Sequence, residues 1–291
     1  MLTKKQVRLL DEIVAIEAQE ARDVGAIGYM ARMLVQATMP HSDPGDVPAW
    51  GRRNGHLSLV MQPGMTLSHD GKTKSVGLPY GSLPRLLLAW VSTEAVRTRE
   101  PVVILGDTLS AFMSELRLVP TGGRWGTITR LRVQMMRLFS ASISVTFDGD
   151  GRWSNSGLRI ADDAHLWWHP QQPHQAMLWR SAVTLGSRFY DELVANPVPV
   201  DMRALQALRR SPMALDIYTW LTHRMSYLRA DTLIPWPMLA MQFGADFGRL
   251  SNFRAAFSDS LRRVLLVYQA AVTPTSDGLQ LRPSRTHVRR A

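Results

Sequence analysis

The chain of 291 residues contains no cysteine. Disulfides, cysteine-ligated zinc fingers, iron–sulfur clusters and thiol catalysis are thereby excluded. Lysine is nearly absent too: of 34 basic residues only Lys4, Lys5, Lys72 and Lys74 are lysines, and 30 are arginines. No run of 18 apolar residues occurs, and the amino terminus is a charged amphipathic stretch rather than a secretory signal. The expectation is a cytoplasmic protein without a membrane partner. Missing catalytic signatures point the same way for chemistry. There is no His-x-His pair of the kind a rolling-circle nickase carries, no Gly-x-Ser-x-Gly elbow and no clustered carboxylates for a metal-dependent nuclease. The chain is expected to be no enzyme, with no cofactor and no metal.

Two near-motifs dissolve on inspection. Gly71-Lys72-Thr73 resembles the end of a phosphate-binding loop, but the glycine needed five residues earlier is Thr66, and no helix follows. A hairpin turn with an exposed lysine is the expectation. His165, His169 and His174 lie near Asp162 and Asp163, yet among Trp167, Trp168, Pro170 and Pro173 they have no helical spacing. A polar loop is expected there rather than a metal site.

What is present is positive charge. The net charge is +10 with an isoelectric point near 10.6. Residues 201–291 hold 13 Arg against 6 Asp, so the carboxy-terminal third carries most of the excess. Arginine offers a planar fork of donors suited to phosphate and to guanine edges. Hydrophobic content of 45% is enough for real cores, and the length predicts two domains.

Along the chain, residues 3–22 predict a helix and 40–55 a loop or linker rich in Pro, Gly and Asp. Residues 56–62 alternate as a strand, and 63–82 are rich in Gly and Ser. A helix over 84–98 with Pro at its start precedes a strand at 101–105, a helix over 108–117 capped by Asp107, the turn at 121–126 and a helix over 127–140. A hairpin over 143–147 and 157–161 and a strand at 178–185 follow. A second round then repeats the order. Helices at 187–195, 202–210 and 212–228 are separated by a break at Pro197 and Pro199. An extended piece at 233–236, a short helix at 237–243, a long helix at 248–268 and a hairpin around Ser276-Asp277-Gly278 complete it. The tail after 282 is polar, basic and expected to be mobile. Helix, strand, helix, turn, helix, hairpin is the order of a winged helix, whose third helix enters a DNA groove. The fold expected is therefore α+β, mainly helical, with an N-terminal helix and linker (1–54) and two tandem winged-helix-like domains (55–186 and 187–291).

Each unit has a candidate recognition helix. In 127–140, Ile128, Leu131, Met135, Leu138 and Phe139 make one apolar face, while Arg130, Gln134 and Arg137 make a polar one. Arg124, Thr127 and Thr129 sit at the positive helix end, where phosphate is favoured. In 248–268, Leu250, Phe253, Phe257, Leu261, Val264, Leu265 and Tyr268 form the core stripe. Arg249, Ser251 and Asn252 cluster at the start, with Arg254 further on. Arg152 and Arg282 are wing candidates. Trp90, Trp220 and Trp236 fall on apolar patterns and are assigned to core.

Four segments carry a family resemblance: LPYGSLPRLLLAWVSTEAVRT (78–98), TGGRWGTITRLRVQMMRLFS (121–140), SPMALDIYTWLTHRMSYL (211–228) and IPWPMLAMQFG (234–244). They resemble the plasmid-encoded RepA replication initiators, over about residues 55–288. The resemblance implies binding to repeated sites (iterons) in double-stranded origin DNA, opening of an adjacent segment, and recruitment of a host initiator and replicative helicase. It also implies a monomer–dimer equilibrium. It assigns no individual contact residue. A winged-helix transcriptional repressor without a replication role, a DNA-acting enzyme and a protein-interaction scaffold are alternatives that the sequence leaves open.

Overall fold

The computed structural model describes residues 4–168, 171–175, 180–244 and 247–289, and the backbone alone of 4–9. The chain opens with α1 (Lys4–Ala18), β1 (Ile27–Ala31) and α2 (Arg32–Gln36). Strands β2 (Trp50–Asn54) and β3 (Leu57–Gln62) and the small hairpin β4 (Met65–Leu67) and β5 (Thr73–Ser75) follow. Next come α3 (Ser82–Thr98), β6 (Val102–Ile104), α4 (Leu109–Glu115) and α5 (Thr127–Ser140). Strands β7 (Ser142–Gly149), β8 (Arg152–Arg159), β9 (Ala161–His165) and β10 (Ala182–Leu185) lead to α6 (Ser187–Ala195) and β11 (Pro197–Asp201). The remainder is α7 (Met202–Leu208), α8 (Pro212–Met225), β12 (Thr232–Pro235), α9 (Trp236–Phe243), α10 (Leu250–Val267), β13 (Val272–Pro274) and β14 (Gly278–Leu281). The fold is α+β with several small antiparallel sheets, and its buried apolar residues form one continuous cluster from Ile13 to Leu281.

Two helices are buried around most of their circumference. In α3, Leu86, Leu87, Leu88, Val91 and Ala95 are buried, and in α8 so are Leu215, Ile217, Tyr218, Trp220 and Leu221. A helix apolar on all sides belongs inside a larger body. The strand that follows each obeys one plan. β6 pairs with β10, which pairs with β9; β12 pairs with β14, which pairs with β13. The series α3–β6–α4–α5–β9–β10 and α8–β12–α9–α10–β13–β14 therefore have the same order and the same antiparallel connections. In the first series β7 and β8 are inserted after α5. They join β2 and β3 in a separate four-stranded sheet. Their two-residue turn, Asp150-Gly151, has positive φ at both positions (53° and 70°), the form that matches strand twist and that Gly adopts at little cost.

Several expected elements differ. The first helix ends at Ala18 rather than at 22, and Thr3 lies outside the described residues. The linker over 40–55 ends in β2, because Trp50–Asn54 hydrogen-bond to β3. Thr108, not Asp107, caps α4 by accepting from the Ala111 amide, and Asp107 instead pairs with Arg180 at 3.0 Å. Pro84 is the third residue of α3, not its first. The strand expected from 178 is seen from Ala182; Leu178 and Trp179 lie outside the described residues. Pro197 and Pro199 do not break the chain but belong to β11, paired with β1. Two prolines two apart put both missing N–H groups on one strand edge. The N–H of Asp201, in phase with them, points away from β1 to the Tyr218 hydroxyl at 2.9 Å. Leu250 is 43% exposed rather than part of the core stripe, because it sits in the first turn of α10. Trp220 and Trp236 are buried, and Trp90 packs partly buried against the same core.

The tail is held in place as far as Arg289. His287 stacks on Tyr268 and bonds the Tyr218 hydroxyl at 2.7 Å, Val288 is buried, and Arg289 pairs with Glu20 at 3.0 Å. A second partly buried imidazole, His41, bonds Asp216 at 2.8 Å. Burial pulls His41 below the ordinary imidazole value, with Arg85 and Arg52 adding to the effect against the attraction of Asp216. Burial likewise lowers His287, helped by Arg203 and opposed by Asp201. Below about pH 6.5 the unfolded chain takes up protons that the folded chain refuses, so stability falls with pH. Urea midpoints are expected to drop between pH 7.5 and 5.5, and His287→Gln to flatten that slope. A wild-type midpoint constant over the range contradicts the account.

Candidate nucleic-acid interface

The turn before α5 is built from its own hydroxyls. Thr127 Oγ1 donates to the Val119 carbonyl (2.6 Å) and accepts from the Thr121 amide (2.9 Å), while Thr121 Oγ1 accepts from the Thr127 amide (2.9 Å). Thr129 Oγ1 donates to the Gly123 carbonyl at 2.9 Å. Both hydroxyls expected to face phosphate instead close the turn. Gly126 is obligatory there, since a Cβ would lie 2.2 Å from the Thr121 carbonyl oxygen. This closure sets Arg124 and Trp125 outward, with the Arg124 guanidinium 5.1 Å from the Trp125 ring centre.

The apolar face of α5 is buried as its spacing indicates: Ile128, Leu131, Met135, Leu138 and Phe139. The polar face is only partly open. Gln134 is 5% exposed, and its side-chain oxygen accepts from the Tyr80 amide at 2.9 Å. Arg137 lies against Gly77, 5.2 Å over the Tyr80 ring, and reaches the Leu78 carbonyl (3.3 Å) and Asp43 (3.4 Å). A buried amide and a guanidinium held in this way present no edge to a base. The exposed strip of α5 is Thr129, Arg130, Arg132, Val133 and Met136.

At α10, Arg249, Ser251 and Asn252 are all exposed. Arg249 occupies the cap position without a side-chain cap bond. Arg254 leans over Trp236 at 5.2 Å and donates to the Thr275 carbonyl at 3.4 Å, and Arg282 pairs with Asp231 at 3.4 Å. Arg152 is exposed at the β7–β8 turn beside exposed Trp153, in the inserted sheet rather than in the β9–β10 hairpin that matches β13–β14.

The structure joins part of the expected set. Arg124, Thr127, Arg130 and Gln134 line one open cavity of about 490 Å³, together with Arg209 and Arg210 from the turn between α7 and α8. Trp125, Arg132, Arg180, Arg209 and Arg210 were not singled out by sequence reasoning. Helical spacing marks Arg132 as non-core, but nothing local brings Arg209 and Arg210 to α5. The turn reading of Gly71-Lys72-Thr73 holds: it closes the β4–β5 hairpin, with Lys72 exposed and 3.3 Å from Asp70. His165 stacks on Trp167, and His169 lies outside the described residues. Among the described residues, no group of three or more His, Cys, Asp or Glu is placed to hold a metal ion, and no helix is long and apolar enough to cross a membrane.

Residues 78–236, more than half of the chain, match the sequence profile of the family described as plasmid encoded RepA protein. Two solved structures of domains 2 and 3 of RctB are similar in fold. A selenomethionine derivative aligns with 77% of this chain and 80% of its own, and a second structure with 85% and 94%; each has 11% identity and a TM-score of 0.50. At that identity the likeness concerns the fold alone. No curated protein matches the chain.

Proposed function

Because the chain belongs to the family of plasmid-encoded RepA proteins, we propose that it is a replication initiator that binds repeated sites in double-stranded origin DNA. The observation that carries this reading is a pair of exposed, Arg-bearing helix starts in matching topological positions. Arg124 and Arg130 stand at α5, and Arg249, Ser251 and Asn252 at α10. In each series a short helix precedes this helix, and a hairpin pairs back to the strand before both. We read that order as a winged-helix plan, in which groove-entering helices make their base contacts near the N-terminus.

On this reading the wing of the first unit (within 55–186) is β9–β10, with Arg180 in its connection. That of the second (within 187–291) is β13–β14, next to Arg282. Exposed arginines supply affinity through phosphates, and the helix-start residues supply sequence choice. The protein performs no catalytic step. Family membership supports origin opening and recruitment of a host initiator and helicase as the consequence of binding, with a monomer–dimer equilibrium.

Titration of the whole protein against a duplex carrying the origin repeats, and against scrambled duplex, across a salt series tests the reading. Repeats are expected to bind at least 10³-fold tighter at physiological salt, with log K falling about 0.9 per phosphate neutralised for each unit of log salt. Equal weak binding to both duplexes removes it. A plasmid maintenance assay separates an initiator from a repressor, which cannot support replication.

A further inference from the structure

The cavity between the start of α5 and the α7–α8 turn is lined by arginines and apolar side chains. Four arginines contribute to it, Arg124, Arg130, Arg209 and Arg210, and no carboxylate is among its lining residues. Tyr80, Leu83, Leu86 and Leu118 supply apolar wall, and Trp125, 79% exposed, supplies an aromatic face. Its volume of about 490 Å³ is within the range of small-molecule sites, roughly 300–1,000 Å³. A concave wall of one sign focuses the field on an anion. Guanidinium forks match pairs of phosphate oxygens, and an indole face offers apolar contact to a sugar irrespective of sequence. Arg209 is partly committed, donating to the Gln206 carbonyl at 2.7 Å and lying 3.9 Å from Glu12. Arg210 is exposed.

We propose that this cavity is a nucleotide-unit site, seating one phosphodiester-linked nucleotide of a DNA strand with its phosphate among Arg130 and Arg210 and its sugar against Trp125. The proposal rests on the DNA reading of α5. It adds that the second half of the chain, through Arg210, grips the strand that α5 contacts. A free nucleoside phosphate presents the same chemistry. The strand is favoured because Arg130 and Val133 belong both to the cavity wall and to the exposed strip of α5, so the two surfaces are continuous.

The test uses the full chain, with Arg210→Ala, Arg210→Lys, Trp125→Ala and Arg130→Ala compared by fluorescence anisotropy on repeat and scrambled duplexes over a salt series. Unchanged melting temperatures establish folding. Arg210→Ala is expected to weaken both duplexes by a similar factor, about 3- to 10-fold, and to make the salt slope shallower by about 1. Arg210→Lys should keep the slope, and Trp125→Ala should weaken binding with the slope intact. If Arg130→Ala weakens binding while Arg210→Ala and Trp125→Ala do nothing, the cavity is no site and the α5 reading survives. If the wild type binds no duplex, the α5 reading itself falls, and the proposal with it. Titration with a fluorescent (mant) adenosine triphosphate tests the source. Saturable micromolar binding, lost in Arg210→Ala, overturns the strand as occupant, and no saturation below millimolar concentration supports it.

Discussion

Asp216→Ala is expected to cost about 3–5 kcal/mol of stability, the usual consequence of leaving a buried charge without its partner, and to lower the melting temperature on the order of 10 °C. Asp216 in α8 receives two bonds of 2.7 Å from Arg85 in α3, through Nε and Nη2. Arg85 also donates to the carbonyls of Met39 (2.6 Å), Pro40 (3.1 Å) and Gly81 (2.7 Å). Both side chains are buried. Burial pushes the Asp216 carboxyl up, but Arg85 and His41 outweigh it and hold the group below the usual carboxylate range. Its contribution is therefore present above the unfolded value, about pH 3.9, and is lost as pH falls through the lower folded value. Removing the carboxylate strands the guanidinium in a site with carbonyls and no counter-charge. One contact set joins the segment 39–41, α3 and α8, so the loss is expected in a single cooperative transition. Urea and thermal unfolding measure it, and a melting temperature within about 2 °C of wild type shows that water replaces the carboxylate.

Replacing Arg249 and Asn252 together with Ala is expected to weaken binding to repeat duplex far more than to scrambled duplex, and so to cut the discrimination between them sharply. Arg reads guanine and Asn reads adenine with two bonds each, and one such pair is worth about 1–3 kcal/mol. Losing both costs about 2–6 kcal/mol at the repeats, or roughly 30- to 20,000-fold. Scrambled duplex should weaken only a few-fold, through one lost positive charge. These two residues are selected because they are exposed in the first turn of α10, whereas Arg254 is laid over Trp236 and Arg282 is paired with Asp231. Competition binding at fixed salt gives both affinities. Equal loss on the two duplexes makes the pair phosphate contacts and moves sequence reading to Arg124 and Arg130.

Much of the local architecture was legible because it depends on neighbours in sequence. The apolar stripe of α5 repeats at helical spacing and is buried at every predicted position. Asp150-Gly151 announces its turn, and β12, α9, α10 and the last hairpin fall where alternation, proline and glycine place them. Hydroxyls defeated the reading at Thr127 and Thr129. A threonine at a helix start has the same sequence signature whether it faces phosphate or a carbonyl of its own turn.

By itself, the sequence determined the class of the molecule: a cysteine-free, arginine-rich α+β chain of the RepA type with two similar runs of elements. Those properties follow from composition, from periodicities of two and 3.6 residues, and from blocks of residues long enough to be specific. Tertiary structure alone decided which polar side chains remain available. Gln134 and Arg137 share a helix face with Arg130, but the segment around Gly77 and Tyr80, more than 50 residues earlier, packs over them and leaves Arg130 open. It also decided that Arg209 and Arg210 stand beside Arg124 and Trp125, and that Asp216 neutralises Arg85 across 131 positions of chain. Periodicity gives a side chain's direction relative to its own helix axis; what lies in that direction is set by packing between elements distant in sequence.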